Sequence, residues 1–352
     1  MDFRLARMAV TIKDVARAAG VSASTVTRAL SNPEMVNPAT RERVRQTAAS
    51  LGYQPNRAAR GLITGRTGNL GLLVPDLANP FFPSIVKGVQ ARAHEADYAV
   101  FLVDTDEDAT AEAGLVSKLS KQVDGLILCS PRMSEEELRT ILGETPVVLL
   151  NRRVGRVPSV TPAFTDAMRQ AVSHLTALGH RRIAYVAGPR TSWANRERVR
   201  SLRAVAASSA DFELVEIGNV IPQFPGGVAA ADQVLAADVT AVIAYNDLVA
   251  LGLLHRFAAR GVAVPADISV LGFDDIALAE MVHPSLTTVA LPKEQAGRAA
   301  VDLLLQLLEH PDRAAAARRE LPAQLMVRGS TGPTSAKPTA DAPHRKRDSA
   351  PM

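Results

Sequence analysis

Two regimes of apolar spacing divide this chain. As far as about residue 55, apolar positions recur every three or four residues, the period of amphipathic helices; from Asn69 onward, short continuous apolar runs alternate with helical stretches. In the first regime Ile12, Val15, Ala16 and Ala19 form one helical face. Thr11 caps that helix, with Asp14 at capping-box spacing, and Gly20 ends it because glycine takes the left-handed conformation without strain. Ser22 caps a second helix that buries Val26, Ala29 and Leu30 and turns Ala23, Ser24, Thr27 and Arg28 outward. Asn37 caps a third, with Pro38 at the favoured first position and Thr40 three residues after the cap. There Val44, Ala48 and Leu51 face inward, while Arg41, Glu42, Arg43 and Arg45 keep the helix solvated. Two short helices joined by a tight turn, the second offering short polar side chains and an arginine, are a device for setting a helix in the major groove of DNA. Any two amphipathic helices around a glycine share that outline, so spacing alone does not decide.

In the second regime NLGLLVPD, YAVFLVD, VDGLILCS and PVVLLN read as strands, and the rhythm returns in RRIAYVAG, FELVEIG, TAVIAYND and ISVLGFDD. Near-continuous apolar strands alternating with amphipathic helices predict parallel sheets covered on both faces. Two blocks, roughly 68–165 and 166–290, predict two similar α/β subdomains, with the chain between Leu291 and Arg328 crossing back. Ligands of such sheets bind beyond the carboxyl ends of the strands. That rule selects Asp76, Asn79, Phe81 and Phe82, then Cys129 and Ser130, then Asn151, Arg152 and Arg153 in the first block. In the second it selects Arg196 and Arg198, Asn246 and Asp247, and Asp274 and Asp275. Arg, Asn and Asp planes beside aromatic rings suit a polyol or sugar, whose paired hydroxyls take bidentate hydrogen bonds while its C–H face packs on a ring. The alternative, that Asn-Asp after a strand simply caps the next helix, weighs most on Asp247 and Asp275.

Charge sharpens the picture of the first regime. Residues 1–66 carry eleven Lys and Arg against four Asp and Glu, a net of +7, whereas the whole chain is +4, so the remainder is about −3. A basic N-terminal segment on a mildly acidic body is the asymmetry of a nucleic-acid-binding head. The 352 residues, 47% of them apolar, are ample for two or three domains with real cores. No apolar run reaches the length of a membrane span, and MDFRLARM lacks the apolar stretch of a secretory signal. The single cysteine, Cys129, excludes an internal disulfide and fits a reducing cytoplasm; nothing near it in sequence activates a thiolate, so it reads first as a small buried hydrophobe. There is no phosphate loop, no GxGxxG, and no His/Cys/Asp cluster for a metal, so neither an enzyme nor a cofactor is expected. His174 and His180, flanking an LGH turn, read as structural. Residues 334–352, rich in Pro, Ala, Ser and Lys, read as a disordered tail.

In order along the chain stand TIKDVARAAGVSASTVTRAL, RERVRQTAASLGYQPNRAARGL, GLLVPDLANPFF, VDGLIL, LGHRRIAYVAGP, YNDLVALGLL, GVAVPADISVLGFDD, PSLTTV and RGSTGP. Together, over about residues 10–330, they resemble the LacI/GalR family of bacterial transcriptional repressors. The resemblance implies an N-terminal all-α helix-turn-helix head (8–55), a hinge helix or linker (56–67) and an α/β periplasmic-binding-protein-like body (68–330). The body would hold two doubly wound parallel-sheet subdomains, one of about 68–165 plus part of 291–328, the other of about 166–290. It implies a cytoplasmic homodimer, on the nucleoid when DNA-bound, that sets one recognition helix per subunit on each half of a palindromic operator and is released by a small-molecule effector, a sugar or sugar derivative. By motif position Ala23, Ser24 and Arg28 would read bases, while Thr11, Ser22, Thr25, Ser31, Asn37 and Thr40 would bind phosphate. Asn56, Arg57, Ala59 and Leu62 would act from the hinge helix, Leu62 as the minor-groove wedge that kinks the duplex. Phe81, Phe82, Cys129 or Ser130, Asn151, Arg198, Asn246 and Asp274 fall at effector-lining positions. Departures gather in the body: Val220, Ile221 and Pro222 stand where an aromatic stacks on the ligand, leaving Phe224 or Trp193 as substitutes, and Leu291 and Lys293 replace a polar and aromatic pattern. In the hinge, Gly61 weakens a helix by about 1 kcal/mol relative to alanine. Helices around Phe82–Asp97 and Asp247–Arg260 are the expected dimer faces, and no heptad tail follows Gly329 to build a tetramer. Relatives that use a corepressor reverse the sign of regulation, and a solute-binding protein without a DNA role is the alternative outside the class.

Overall fold

The computed structural model describes residues 10–53, 65–141, 145–208, 212–311 and 316–334. The chain divides into two compact units between Gly68 and Asn69. The expected hinge residues Asn56, Arg57, Ala59 and Leu62, and the expected tail beyond Thr334, lie outside the described residues.

The first unit contains helices α1 (Ile12–Ala19), α2 (Ala23–Ser31) and α3 (Pro38–Ser50), with a 3₁₀ turn at Pro33–Met35. The caps form as the sequence reads. The Thr11 backbone N–H and hydroxyl donate to the Asp14 carboxylate at 3.0 and 2.7 Å, Gly20 takes φ 66°, and Ser22 and Asn37 accept from Thr25 and Ala39 N–H groups. Val15, Val26 and Val44, all fully buried, centre a small core with Ala16, Ala19, Ala29 and Ala48. Three side chains depart from the expected pattern. Leu51, read as inward, is 39% exposed; the helix has ended at Ser50, and Tyr53 packs on the core instead. Arg43 is not simply solvated, because its Nε donates to the Ala19 carbonyl at 3.0 Å and ties α3 to the end of α1. Ala23, read as outward, is half-buried against the core.

The second unit contains two six-stranded sheets. The first is built from β1 (Asn69–Val74), β2 (Ala99–Asp104), β3 (Gly125–Cys129), β4 (Val147–Leu150), β5 (Ser159–Pro162) and β11 (Arg318–Leu321), in the order β11-β5-β4-β3-β1-β2, parallel throughout. The second is built from β6 (Arg182–Val186), β7 (Glu213–Ile217), β8 (Ala241–Ala244), β9 (Ser269–Asp274), β10 (Thr287–Ala290) and β12 (Gln324–Met326), in the order β12-β10-β9-β8-β6-β7. Among the described strands only the β10–β12 pair is antiparallel. All eight apolar runs read from the sequence are strands. The four others, β5, β10, β11 and β12, have three or four residues each, too few for a period to show.

Intervening helices cover the sheets: α4 (Phe81–Glu95), α5 (Ala109–Ser120), α6 (Glu135–Ile141), α7 (Phe164–Ala177), α8 (Trp193–Ser208), α9 (Phe224–Ala236), α10 (Asp247–Ala259), the short α11 (Leu278–Met281) and α12 (Lys293–Glu309). The chain passes between lobes after β5, after β10 and after β11. Of residues 291–328, α12 and β11 therefore join the first lobe while β12 returns to the second. In the first lobe α4, one of the expected dimer helices, already has one face covered by α12. His180 anchors the closing segment: its ring nitrogens lie within hydrogen-bonding distance of Thr240, Ser269 and the Gly332 carbonyl at 2.9–3.0 Å.

Candidate nucleic-acid interface and ligand cavity

In the head, Ser24 and Arg28 are exposed on α2, and Thr25 is half-buried beside them. The hydroxyl of Ser22 sits 2.8 Å from those of both Ser24 and Thr25, a compact polar cluster at the start of α2. Thr11, Ser22 and Asn37 are the N-cap residues of the three helices. Free N–H groups and the positive end of the helix dipole at such positions suit phosphate oxygens. Thr40 lies half-buried in the first turn of α3, and Ser31 ends α2. With Ala23 turned toward the core, Arg28 is the long side chain on α2 able to reach a base edge.

In the body, the carboxyl ends of strands from both sheets surround one cavity of about 310 Å³, lined by Phe81, Phe82, Ser130, Asn151, Arg198, Asn246 and Asp274 together with Asn79, Glu107, Arg132, Pro222 and Tyr245. Gln223 of the second lobe donates to Asp76 of the first at 3.1 Å, bridging the cleft. Phe81 and Phe82 open α4 with their rings edge to face at 5.1 Å. The Asn151 amide donates to Ser130 at 2.7 Å, while its Oδ1 is buried with no partner among the described residues.

Arg198 is 3% exposed. Its guanidinium lies 3.6 Å from the Phe273 ring centroid and 5.0 and 5.4 Å from those of Tyr245 and Phe164, a cation held among aromatic faces. Nη1 donates to the Tyr245 carbonyl, Nη2 stands 3.8 Å from the Asp274 carboxylate, and Nε has no partner among the described residues. Burial holds the Asp274 carboxyl well above the usual carboxylate range, against the opposing pull of Arg198. A lone buried acceptor on Asn151 and a lone buried donor on Arg198 are what a hydroxyl-bearing ligand satisfies, since a hydroxyl both donates and accepts.

Four of the lining residues, Glu107 (φ 58°), Ser130 (φ 49°), Asn151 (φ 58°) and Asp274 (φ 121°), hold left-handed backbone. Such strain in non-glycine residues costs about 1–3 kcal/mol each and clusters where a site must be preorganised.

Several sequence readings are revised. Cys129 and Ser130 part company: strand alternation turns Cys129 into the core, fully buried, and leaves Ser130 at the cavity. Burial pushes the Cys129 thiol up to about 12. Ellman's reagent should therefore leave the native protein unlabelled over hours and label one thiol per chain in denaturant; fast native labelling would place Cys129 at the surface. Asn246, not Asp247, caps α10, accepting from Val249 N–H at 2.9 Å while donating to the Pro222 carbonyl at 2.8 Å. Asp247 is wholly buried, accepting from the Thr288 hydroxyl at 2.6 Å and Ile276 N–H at 2.9 Å. Neither expected aromatic substitute lines the cavity: Trp193 packs on Phe164 at 5.9 Å and Phe224 on His255 at 5.4 Å. Tyr245 supplies the ring of the second lobe instead.

Arg132 and Glu107 were missed altogether. Arg132 is paired bidentately with Glu107 at 2.6 and 2.7 Å, and Glu112 beneath accepts the Arg132 and Met133 backbone N–H groups at 2.7–2.8 Å. Both follow strands by three residues, so the strand-end rule, extended along the loops, reaches them. Among the described residues no group of acidic, His or Cys side chains is arranged to hold a metal, and no helix is long and apolar enough to cross a membrane.

Comparison with known proteins bears on both units. Residues 11–56 match the family model of bacterial regulatory proteins, lacI family, and residues 172–331 match the periplasmic binding protein-like domain. The HTH-type transcriptional repressor CytR of Escherichia coli is 34% identical over 336 residues, 92% of this chain and 96% of that protein. The structure of the Lac repressor dimer bound to operator and the anti-inducer ONPF superposes with a TM-score of 0.82 at 29% identity, over 92% of this chain and 99% of that one. A complex of the transcriptional regulator CelR with cellobiose is 33% identical, with a TM-score of 0.68 over 91% and 99% of the two chains.

Proposed function

The chain belongs to the LacI family of bacterial regulatory proteins and is a DNA-binding transcriptional regulator rather than an enzyme, and from that premise we propose that it is a homodimeric repressor released from a palindromic operator by a small sugar or sugar derivative. The observation that carries the effector half of this reading is the convergence of Phe81, Phe82, Ser130, Asn151, Arg198, Asn246 and Asp274 on one interlobe cavity. Aromatic rings beside Arg, Asn and Asp planes are the complement of a pyranose or furanose. The proposed DNA contacts are Ser24 and Arg28 to bases, with the hydroxyls and caps of Thr11, Ser22, Thr25, Ser31, Asn37 and Thr40 on phosphate. Asn56, Arg57, Ala59 and Leu62 act from the hinge. The exposed Phe101 and Leu102 on edge strand β2, and Leu278 and Met281 on α11, are apolar surface suited to the partner subunit.

The test is a mobility shift on a short pseudo-palindromic fragment from upstream of the protein's own coding region, after a thermal-shift screen of sugars. A specific, salt-sensitive shift that the hit sugar dissolves is the expected result. No shift on any such fragment would defeat the DNA half, and a hit that tightens the complex would reverse the sign to corepression.

Affinity for the hit should also depend on pH. Burial raises the Asp274 pKa above the ordinary carboxylate range, so the free protein holds its proton to higher pH than a solvated carboxylate would, and a sugar hydroxyl that donates to the carboxylate must displace it. Affinity therefore rises with pH, by up to about tenfold per pH unit, through the range in which Asp274 loses its proton, and levels off above it. Calorimetry at pH 6, 7 and 8 checks this, and Asp274→Asn should flatten the profile.

A further inference from the structure

The face of α8 opposite Arg198 borders an open groove of about 1270 Å³, lined by Arg190, Asn195, Arg196, Arg200 and Arg203 over a floor of Ala187, Val199 and Ile217. It lies away from the interlobe cavity and shares no lining residue with it. From this arrangement we propose that the groove is a second ligand site, for a phosphorylated small molecule.

Three observations carry it. First, four arginines meet one acidic lining residue, Glu216, on a body whose overall charge is negative. Second, the arginines are braced but not used up. Arg196 donates to the carbonyls of Arg190 and Thr191 at 3.1 and 3.3 Å, Arg190 donates to Asn219 at 2.9 Å, Arg203 is bidentate to Glu216 at 2.6 and 2.8 Å, and Arg200 pairs with Glu197. Each guanidinium has five N–H donors, so every one keeps several free in a preset orientation. Third, Asn195 is 4% exposed, and its orientation is fixed because Oδ1 accepts from Gly188 N–H and the Tyr185 hydroxyl at 2.9 and 3.1 Å. Asn195 also lines the groove. Beyond these bracing contacts the groove presents an excess of N–H donors over acceptors, and a phosphoryl group, acceptor-rich and dianionic, is the complement. The apolar floor takes the uncharged remainder of the ligand.

Because α8 carries Arg198 on its other face, occupation of the groove bears on the same helix that serves the cavity. Pyrophosphate is the probe, titrated into the full-length protein by calorimetry, with the fluorescence of Trp193, the single tryptophan, as a second readout at the start of α8. Saturable binding is expected, weakened at least tenfold in Arg196→Gln/Arg200→Gln, both positions being exposed and free of the core. Three results overturn the site: no saturable heat, an equal response to sodium chloride at matched ionic strength, or undiminished binding in the double variant. If the double variant instead loses affinity for DNA while holding pyrophosphate normally, the arginines belong to a DNA-facing surface and the proposal fails.

Discussion

Replacing Arg198 with alanine is expected to abolish the response to effector while leaving DNA binding in place. The guanidinium is clamped between Phe273, Tyr245 and Phe164, anchored through the Tyr245 carbonyl and set 3.8 Å from Asp274. That geometry fixes the plane of the fork before any ligand arrives, so little rotamer freedom is lost on binding. Removing one partner of a buried, charged hydrogen-bonded contact costs about 2–5 kcal/mol, or roughly 30-fold to several-thousand-fold in effector affinity. An effector shifts a regulator between states only by its differential affinity for them, so a loss of this size leaves the operator occupied at concentrations that free the wild type. The head is a separate compact unit with its own core, which is why operator affinity should stay within about twofold. Arg198→Lys keeps the charge and loses the plane, and should recover only part of the response. The measurement is a mobility shift with and without the hit sugar, alongside circular dichroism. A variant that still responds at the wild-type sugar concentration, or one that is folded yet blind to DNA, would remove Arg198 from the effector site.

Much of the cavity was legible because a parallel sheet exposes its loops at one end, so strand ends alone narrow the search to a few positions. Phe81, Asn151, Arg198, Asn246 and Asp274 were reached that way. The rule names loops rather than side chains, which is why it could not separate Cys129 from Ser130 one residue apart; the pleat did that. It also passed over Arg132, whose place depends on Glu107 from a different loop and on Glu112 accepting the local backbone N–H groups. Pairings across the fold leave no mark on local spacing. The exchange of roles between Asn246 and Asp247 has the same origin, because Asp247 is claimed by Thr288 and Ile276, 41 and 29 residues away. In the head the caps were readable from three- and four-residue spacing, whereas the exposure of Leu51 followed from where α3 ends, and a helix end moves by a residue or two at little cost.

Gly227→Val is expected to destabilise the body strongly, and Gly114→Ala to stabilise it slightly, although each only adds carbon to a glycine inside a helix. Helices α9 and α10 meet backbone to backbone at Gly227 and Gly252. A Cβ on Gly227 would stand 2.0 Å from the Val249 carbonyl oxygen and 3.0 Å from the Gly252 Cα, and one on Gly252 would stand 2.2 Å from the Phe224 carbonyl oxygen. Backbone atoms of packed helices cannot swing aside as a side chain does, so the helices must separate and open the core of the second lobe around Val234, Val249 and Leu253. Overpacking a well-filled core costs about 1–3 kcal/mol and more where relief is blocked; a clash with backbone puts Gly227→Val at the top of that range, about 3 kcal/mol. For a unit of this size that corresponds to a fall of roughly 6–12 °C in Tm. Gly114, in contrast, lies exposed in α5 with nothing within 4 Å of its added Cβ. Alanine there restricts the unfolded chain and gains about 0.5–1 kcal/mol. Thermal unfolding followed by far-ultraviolet circular dichroism distinguishes the two. If Gly227→Val melted within 2 °C or so of the wild type, α9 and α10 would have to be free to slide apart, and the close helix contact would lose its role in holding the second lobe together.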